Sequence, residues 1–283
     1  MALTEFKPEI WTPRILQAFD KTFVFSSLVN RNYEGEISQM GDSVKINQIG
    51  DISISDYGST GLGTPGQLSD AGLTLTIDQA KAFKFRVEDI DKMQATPGVM
   101  DEAMRKAGVA VANVVDQHLS GLYSEHGYTT STGNGSTGAA MEVSSTNIAE
   151  YVLDMGEEMD KRNVPGDGRW MVVPPWFMRR LTQAHVLTGG HYLDDPNSGA
   201  LKTGKIGSAL GFNFYMSNNV SQGSTHYRVM FGTNDAITHA SQINKVEAYR
   251  PENWFADAVK GLYLYGSKVV KPAALGTLYC YAG

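Results

Sequence analysis

"LTLTIDQAKAFKFRVEDI", Leu73 to Ile90, decides how this chain is read. Leu73, Leu75, Ile77, Phe83, Phe85 and Val87 stand at odd positions; Thr74, Thr76, Asp78, Lys84, Arg86 and Glu88 stand at even ones. Successive side chains of a strand point to opposite faces, so the stretch reads as one strand with an apolar and a polar face. From Leu73 to Val87 it would span on the order of 50 Å, against a usual strand of about 5–6 residues. A second strand, "GDSVKINQIGDISISDYG" (Gly41–Gly58), precedes it, and "GSTGLGTPGQLSDAG" (Gly58–Gly72) joins the two with turn-forming residues. An isolated two-stranded ribbon is marginal in water, because its few buried side chains do not offset the entropy of ordering so long a backbone. The ribbon must lie on another surface, either its own chain's core or an adjoining copy.

Outward from the ribbon, the chain reads as α+β. Residues 1–40 form a leading arm: Ile10, Trp11, Ile15, Leu16 and Phe19 have helical spacing, with Thr12 and Pro13 at the helix start. "FVFSSLVNRNYEGEI", with Tyr33 in it, fits no single period. Beyond the ribbon, Thr96 and Pro97 open a helix in which Met100, Ala103, Met104, Ala107, Val111, Val114, Val115, Leu119 and Leu122 recur at threes and fours. It runs to about His126, on the order of 40 Å, and Gly127 stops it. The Gly/Ser/Thr stretch 127–140 reads as a boundary. Asn147 and Glu150 form a candidate capping box for a helix ending near Arg162. "RWMVV" reads as a buried strand and "PPWFMRRLTQAHVL" as a third helix. "GGHYLDDPNSGALKTGK" is a loop; "GFNFYMSNNV", "YRVMFGT", "INKVEAYR" and "GLYLYGSKVV" are strands, and "KPAALGTLYCYAG" closes the chain without an assigned element.

The totals narrow the function classes. The chain has 283 residues, 42% of them hydrophobic, so a sizeable core can form. Lys plus Arg is 24 against Asp plus Glu at 30, a net charge of −6 with no basic run, which argues against a nucleic-acid-coating protein. A single cysteine, Cys280, excludes an intrachain disulfide and reads as a small buried apolar residue. "MALTEFKPEIW" lacks the basic and apolar regions of a signal peptide, and no apolar run approaches the roughly 20 residues of a membrane span.

No constellation points to catalysis. "GALKTGKI" (Gly199–Ile206) nearly fits a phosphate-binding loop, but Ile206 stands where Ser or Thr would hold magnesium. The histidines His118, His126, His185, His191, His226 and His239 have no zinc spacing; His185 and His191 merely flank a Gly-Gly turn. Asp154, Glu157, Glu158 and Asp160 read as a solvated acidic helix face, with a charged subunit contact as the functional alternative. Glu88, Asp89 and Asp91 of "VEDIDK" read as a polar strand end that pairs with basic residues of a neighbour, with a cation site as the alternative.

"PEIW", "VFSSLVNRNYEGEI", "GDSVKI", "TLTIDQAKAFKFRVEDIDKMQA", "DGRWMVVPPWF" and "GFNFYMSNNV" occur in this order. As an ordered set they resemble the major capsid (coat) proteins of tailed bacteriophages, those with the Hong Kong 97 fold. The resemblance implies an N-terminal arm over 1–40, an extended β-hairpin loop over 41–90 that reaches a neighbouring subunit, and a peripheral domain with a spine helix over 91–127. It further implies an axial α/β domain over 128–240, and over 241–283 a return through the peripheral domain to the C-terminus. It implies hexamers and pentamers closing into an icosahedral shell around double-stranded DNA held without sequence-specific binding. Expected partners are a separate scaffolding protein, suggested by the absence of a long helical leader, a portal and decoration proteins. No cofactor, metal or membrane enters, and assembly is expected in the host bacterial cytoplasm. The residues expected at subunit contacts are Leu73, Leu75, Ile77, Phe83, Phe85, Val87, Lys84, Arg86, Glu88, Asp89, Trp11 and Tyr33. Three alternatives stand beside this reading. They are an encapsulin-type compartment shell, a tail-tube protein, and an enzyme with a nucleotide or metal site at 185–205.

Overall fold

The computed structural model describes residues 24–33, 41–46, 72–88, 99–128, 139–184, 186, 205–253 and 255–283. The leading helix with Trp11, the helix start at Thr96 and Pro97, and the residues Asp89, His185 and His191 lie outside them.

The stretch from Leu73 forms two strands in two different sheets. Strand β2 (Leu73–Thr76) pairs antiparallel with β1 (Ser43–Ile46), and β3 (Gln79–Glu88) pairs with β10 (Ala256–Val269). Ile77 and Asp78 are the break between them. Parity survives the break: Leu75 and Ile77 are buried, and Phe83 and Phe85 half-buried, whereas Thr76, Asp78, Lys84 and Arg86 are exposed. The expected single strand is therefore corrected, while its two-faced pattern holds.

β10 is the centre of a three-stranded antiparallel sheet, β3-β10-β9, with β9 spanning Ile237–Tyr249. Its inner face carries Phe83, Phe85, Val259, Tyr263 and Tyr265 against the main core. There lies helix α1 (Val99–Gly121), continued by a 3-10 turn to Glu125. Met104, Val111, Val115, Leu119 and Leu122 of this helix are buried on the expected spacing, whereas Val114, expected with them, is exposed. His118 stands edge-on to Tyr265 at 5.1 Å, a packing role. The element ends one residue before the expected stop: His126 is already extended, and Gly127 caps nothing but donates its N–H to the Pro272 carbonyl at 2.8 Å.

A six-stranded mixed sheet holds the rest, in the order β4-β11-β8-β5-β7-β6. These are Met141–Val143 (β4), Trp170–Val173 (β5), Lys205–Ala209 (β6), Phe212–Met216 (β7), Tyr227–Gly232 (β8) and Leu275–Ala282 (β11). All four residues of β5 are buried, as a continuous apolar run in a central strand requires. Helices α2 (Ile148–Lys161) and α3 (Pro175–Gln183) supply Ile148, Val152, Met155, Met159, Phe177 and Leu181 to the same core. Pro175 sits in the first turn of α3, where its missing N–H is harmless.

Four readings change here. The unassigned tail is β11, a strand between β4 and β8 in which Cys280 is fully buried. The domain boundary placed at 240/241 falls inside β9. Asn147 precedes α2 but does not cap it; its side chain accepts from the Ser144 N–H and donates to the Glu142 carbonyl. The acidic face of α2 is not uniformly solvated: Glu158 is buried beside Lys161, and Asp160 takes a charge-assisted bond from the buried Arg169. Arg169 also donates to the carbonyls of Val164 and Pro165, tying the end of α2 to β5.

Candidate assembly surface

The base of the β-ribbon rests on its own chain. Val44, Ile46, Leu75 and Ile77 form a second small core with Ala240 of β9 and Leu264 of β10, edged by Tyr33, Leu73 and Leu262. Cross-strand register places Ala240 and Leu264 on the outer face of the three-stranded sheet, opposite α1. Backbone bonds extend the β1–β2 ladder by one more rung: Gly41 N–H donates to Ile77 O at 3.1 Å, and Ile77 N–H to Asp42 O at 3.0 Å. Lys268 Nζ reaches the Thr74 carbonyl at 3.0 Å. The approach is close enough that a Cβ on Gly266 would lie 2.3 Å from the Thr76 carbonyl oxygen, which is why glycine stands there.

This assigns the sequence-derived contact residues individually. Leu75 and Ile77 are fully used inside the chain, each 1% exposed, and Leu73 and Tyr33 pack at the edge of the same cluster. Phe83 and Phe85 pack on the main core. Phe83 lies over its cross-strand partner Gly261, whose added Cβ would sit 2.3 Å from the ring. The argument that Leu73–Val87 must borrow a neighbour's surface therefore does not hold for these side chains. Lys84 and Arg86 point the other way, exposed on the outer face. Val87 and Glu88 end β3 opposite Asp257 and Ala256.

The outer face is thus covered at the Ala240/Leu264 end by β1 and β2. Towards the far end it carries Lys84, Arg86, Lys245, Glu247, Lys260 and Tyr249. A shallow depression of about 330 Å³ lies here, lined by Ala82, Lys245, Glu247, Lys260, Gly261 and Leu262. Hydrogen bonds from Lys245 and then Lys260 pull the Glu247 carboxyl down to about 2, and the Lys260 ammonium sits 5.3 Å from the Tyr249 ring. At the end of the β9–β10 hairpin Phe255 is 87% exposed.

The candidate chemical sites do not gather into one. Gly199 to Gly204 lie outside the described residues, and Lys205 opens strand β6 where a phosphate-binding loop would open a helix. Burial pushes the Cys280 thiol up to about 12, which makes it unreactive. Sequence reasoning missed Asp116 of α1 and His239 of β9, both 1% exposed. Asp116 interrupts the apolar stripe of α1 without altering its period, so nothing local marks it as buried.

Comparison with known proteins follows the same architecture. The family described as phage capsid protein matches residues 71–278. A solved structure from Mycobacterium phage Che8 is 28% identical, with 90% of each chain covered and a TM-score of 0.70. The capsid of cyanophage P-SCSP1u is 16% identical, covering 93% of this chain and 89% of that one, with a TM-score of 0.67. A virus-like particle from Pyrococcus furiosus is 15% identical, covering 95% and 98%, with a TM-score of 0.54. The last two likenesses concern the fold alone. No curated protein matches.

Proposed function

The chain belongs to the phage capsid protein family, with the Hong Kong 97 fold expected from its sequence, and we propose that it builds an icosahedral shell from hexamers and pentamers. It is a major capsid protein and a structural component of the virion; the finer assembly is our reading. One observation carries that reading. Ile46 and Leu73 are register partners, so two residues in a tight turn would close the β1–β2 hairpin, yet residues 47–72 intervene. The insert is long enough to leave its own subunit, and its base is bolted to the outer face by the second small core. We assign it, with Lys84, Arg86, Glu88 and Asp89, to contacts between neighbouring subunits; Trp11 of the arm joins them.

The shell encloses double-stranded DNA. A net charge of −6 suits a wall that contains DNA without gripping it. A separate scaffolding protein, a portal and decoration proteins complete the particle, which assembles in the host cytoplasm. The role requires geometry and not catalysis.

The test is a deletion the fold tolerates: replace residues 47–72 by Asn-Gly between Ile46 and Leu73. The subunit should stay folded and soluble by circular dichroism, and electron microscopy should show no closed shells. Normal shells from this variant would defeat the reading. Particles of the intact protein filled with protein cargo in place of DNA would favour the encapsulin-type compartment.

A further inference from the structure

Ile237, Thr238, His239 and Ala240, which open β9, are each at most 1% exposed, whereas Lys245 and Tyr249 of the same strand are exposed. Successive residues of a strand face opposite ways, so four buried in a row require a cover on each face. On the inner face Ile237 belongs to the main core, and the His239 ring lies 6.1 Å from that of Tyr265. The outer face belongs to the ribbon stem, residues 41–46 and 73–77. There Ala240 packs with Val44, Ile46, Leu75 and Ile77. Lys268, the register partner of Thr238, ties the stem down through the Thr74 carbonyl at 3.0 Å.

The edge of these four residues is held by the chain that precedes the ribbon. Asn30 forms a parallel bridge with Thr238: its N–H donates to Ile237 O, and His239 N–H donates to Asn30 O, each at 2.9 Å. The Asn30 side chain holds the next turn, its Oδ1 accepting from the Asn32 N–H at 2.9 Å. That turn leads to Tyr33, which packs at the edge of the stem's core. Before the bridge, Phe25, Leu28 and Val29 are buried in the main core. The ribbon stem and the segment 24–33 thus meet at one place on β9.

We propose that the arm root (residues 24–33) and the ribbon stem form one cooperative unit seated on Ile237–Ala240, with Asn30 as its positioning residue. The two segments cover different sides of the same four residues, and Tyr33 of the first packs on the second. Lifting the arm root frees the edge groups of Ile237 and His239 and withdraws Tyr33 from the stem. Lifting the stem uncovers Ala240 and takes away the surface on which Tyr33 packs. Segments that supply part of each other's cover open together. The consequence for assembly rests on the proposed function: where neighbouring subunits hold both arm and ribbon, a displacement of one is transmitted to the other.

Amide hydrogen exchange on the full chain tests this in the subunit itself, so the outcome does not depend on whether shells form. The arm root is read at the N–H groups of Asn30 and His239, the stem at those of Gly41 and Ile77, with Met171 and Val172 of β5 as reference. The Asp116 carboxyl, which accepts from the Val24 N–H at 3.4 Å, is raised by burial to about 6, so all proteins are compared at one pH. Asn30→Ala removes the acceptor of the turn, which should lower protection about 2- to 10-fold. Ile77→Val removes one carbon from the stem's core and should have an effect of about that size. Relative to β5, each variant should lower protection at both pairs of sites by the same factor, and Asn30→Asp, which keeps the acceptor, should restore it. A variant that loosens only its own side overturns the proposal, and so does Asn30→Ala with protection unchanged. Tyr33→Leu, at a half-buried site, replaces a variant that does not fold and carries the same expectation for both pairs.

Discussion

The two sheets bury themselves in different ways. In the six-stranded sheet β5 is covered on both faces, and helices α2 and α3 feed the same core from the same chain. In the three-stranded sheet α1 covers one face, while β1 and β2 cover the other only around Ala240 and Leu264. Beyond that patch the face carries Lys84, Lys245 and Lys260, and Phe255 stands out at the hairpin end. The first sheet is buried by side chains of its own chain, in the one core it shares with the inner face of the second. The second has an outer face that the described residues cover only at the Ala240/Leu264 end.

Substitutions can break this contrast, and the largest effect belongs to the closed sheet. Trp170→Ala empties a site fully enclosed in β5, so chemical denaturation should show a loss of about 3–5 kcal/mol. A loss below about 1 kcal/mol would mean that sheet is less sealed than described. Next comes acid. Burial pulls the His239 imidazole down to about 3, and its Nδ1 is 2.8 Å from Ser267 Oγ. A histidine lowered in the folded state contributes stability that is present above its ordinary value and lost as pH falls. Below about pH 6.5 the loss should approach ~1.4 kcal/mol per pH unit, down to roughly pH 3. Subtracting the His239→Gln profile from the wild-type profile in urea isolates that slope and leaves out Asp116, which titrates with the opposite sign.

Gly261→Ala sharpens the contrast within the open sheet. The new methyl must displace the Phe83 ring, and a loss of about 1–3 kcal/mol in thermal unfolding is expected. The smallest effect on stability belongs to Lys84→Glu on the uncovered face, within about 0.5 kcal/mol of wild type. Its consequence should appear instead in particle yield by electron microscopy. Unchanged yield would show that this face meets nothing in the shell. The same comparison redirects a simpler experiment: Phe83→Asp and Phe85→Asp would damage the subunit itself, because both rings pack on its own core.

Much of this was legible in the residues. The odd-position stripe from Leu73 to Phe85, the threes-and-fours of α1, the continuous apolar run of β5 and the burial of Cys280 all followed from side-chain period and polarity. These properties are local, since a strand or helix points its side chains the same way whatever covers them. The ordered motifs also carried the family. Which surface covers each stripe was not legible. Ile77 and Asp78 divide one apparent strand between two sheets, because Gly266 lets β2 cross β10 at close range and then β3 takes the edge of β10. Asp116 and His239 look like ordinary polar residues until residues 24–30 close over them. Alternation and helical spacing are written in neighbouring residues, so the sequence alone determined the elements and their faces. Pairing, crossing and the burial of charge depend on residues distant in the chain, and only the tertiary structure decided them.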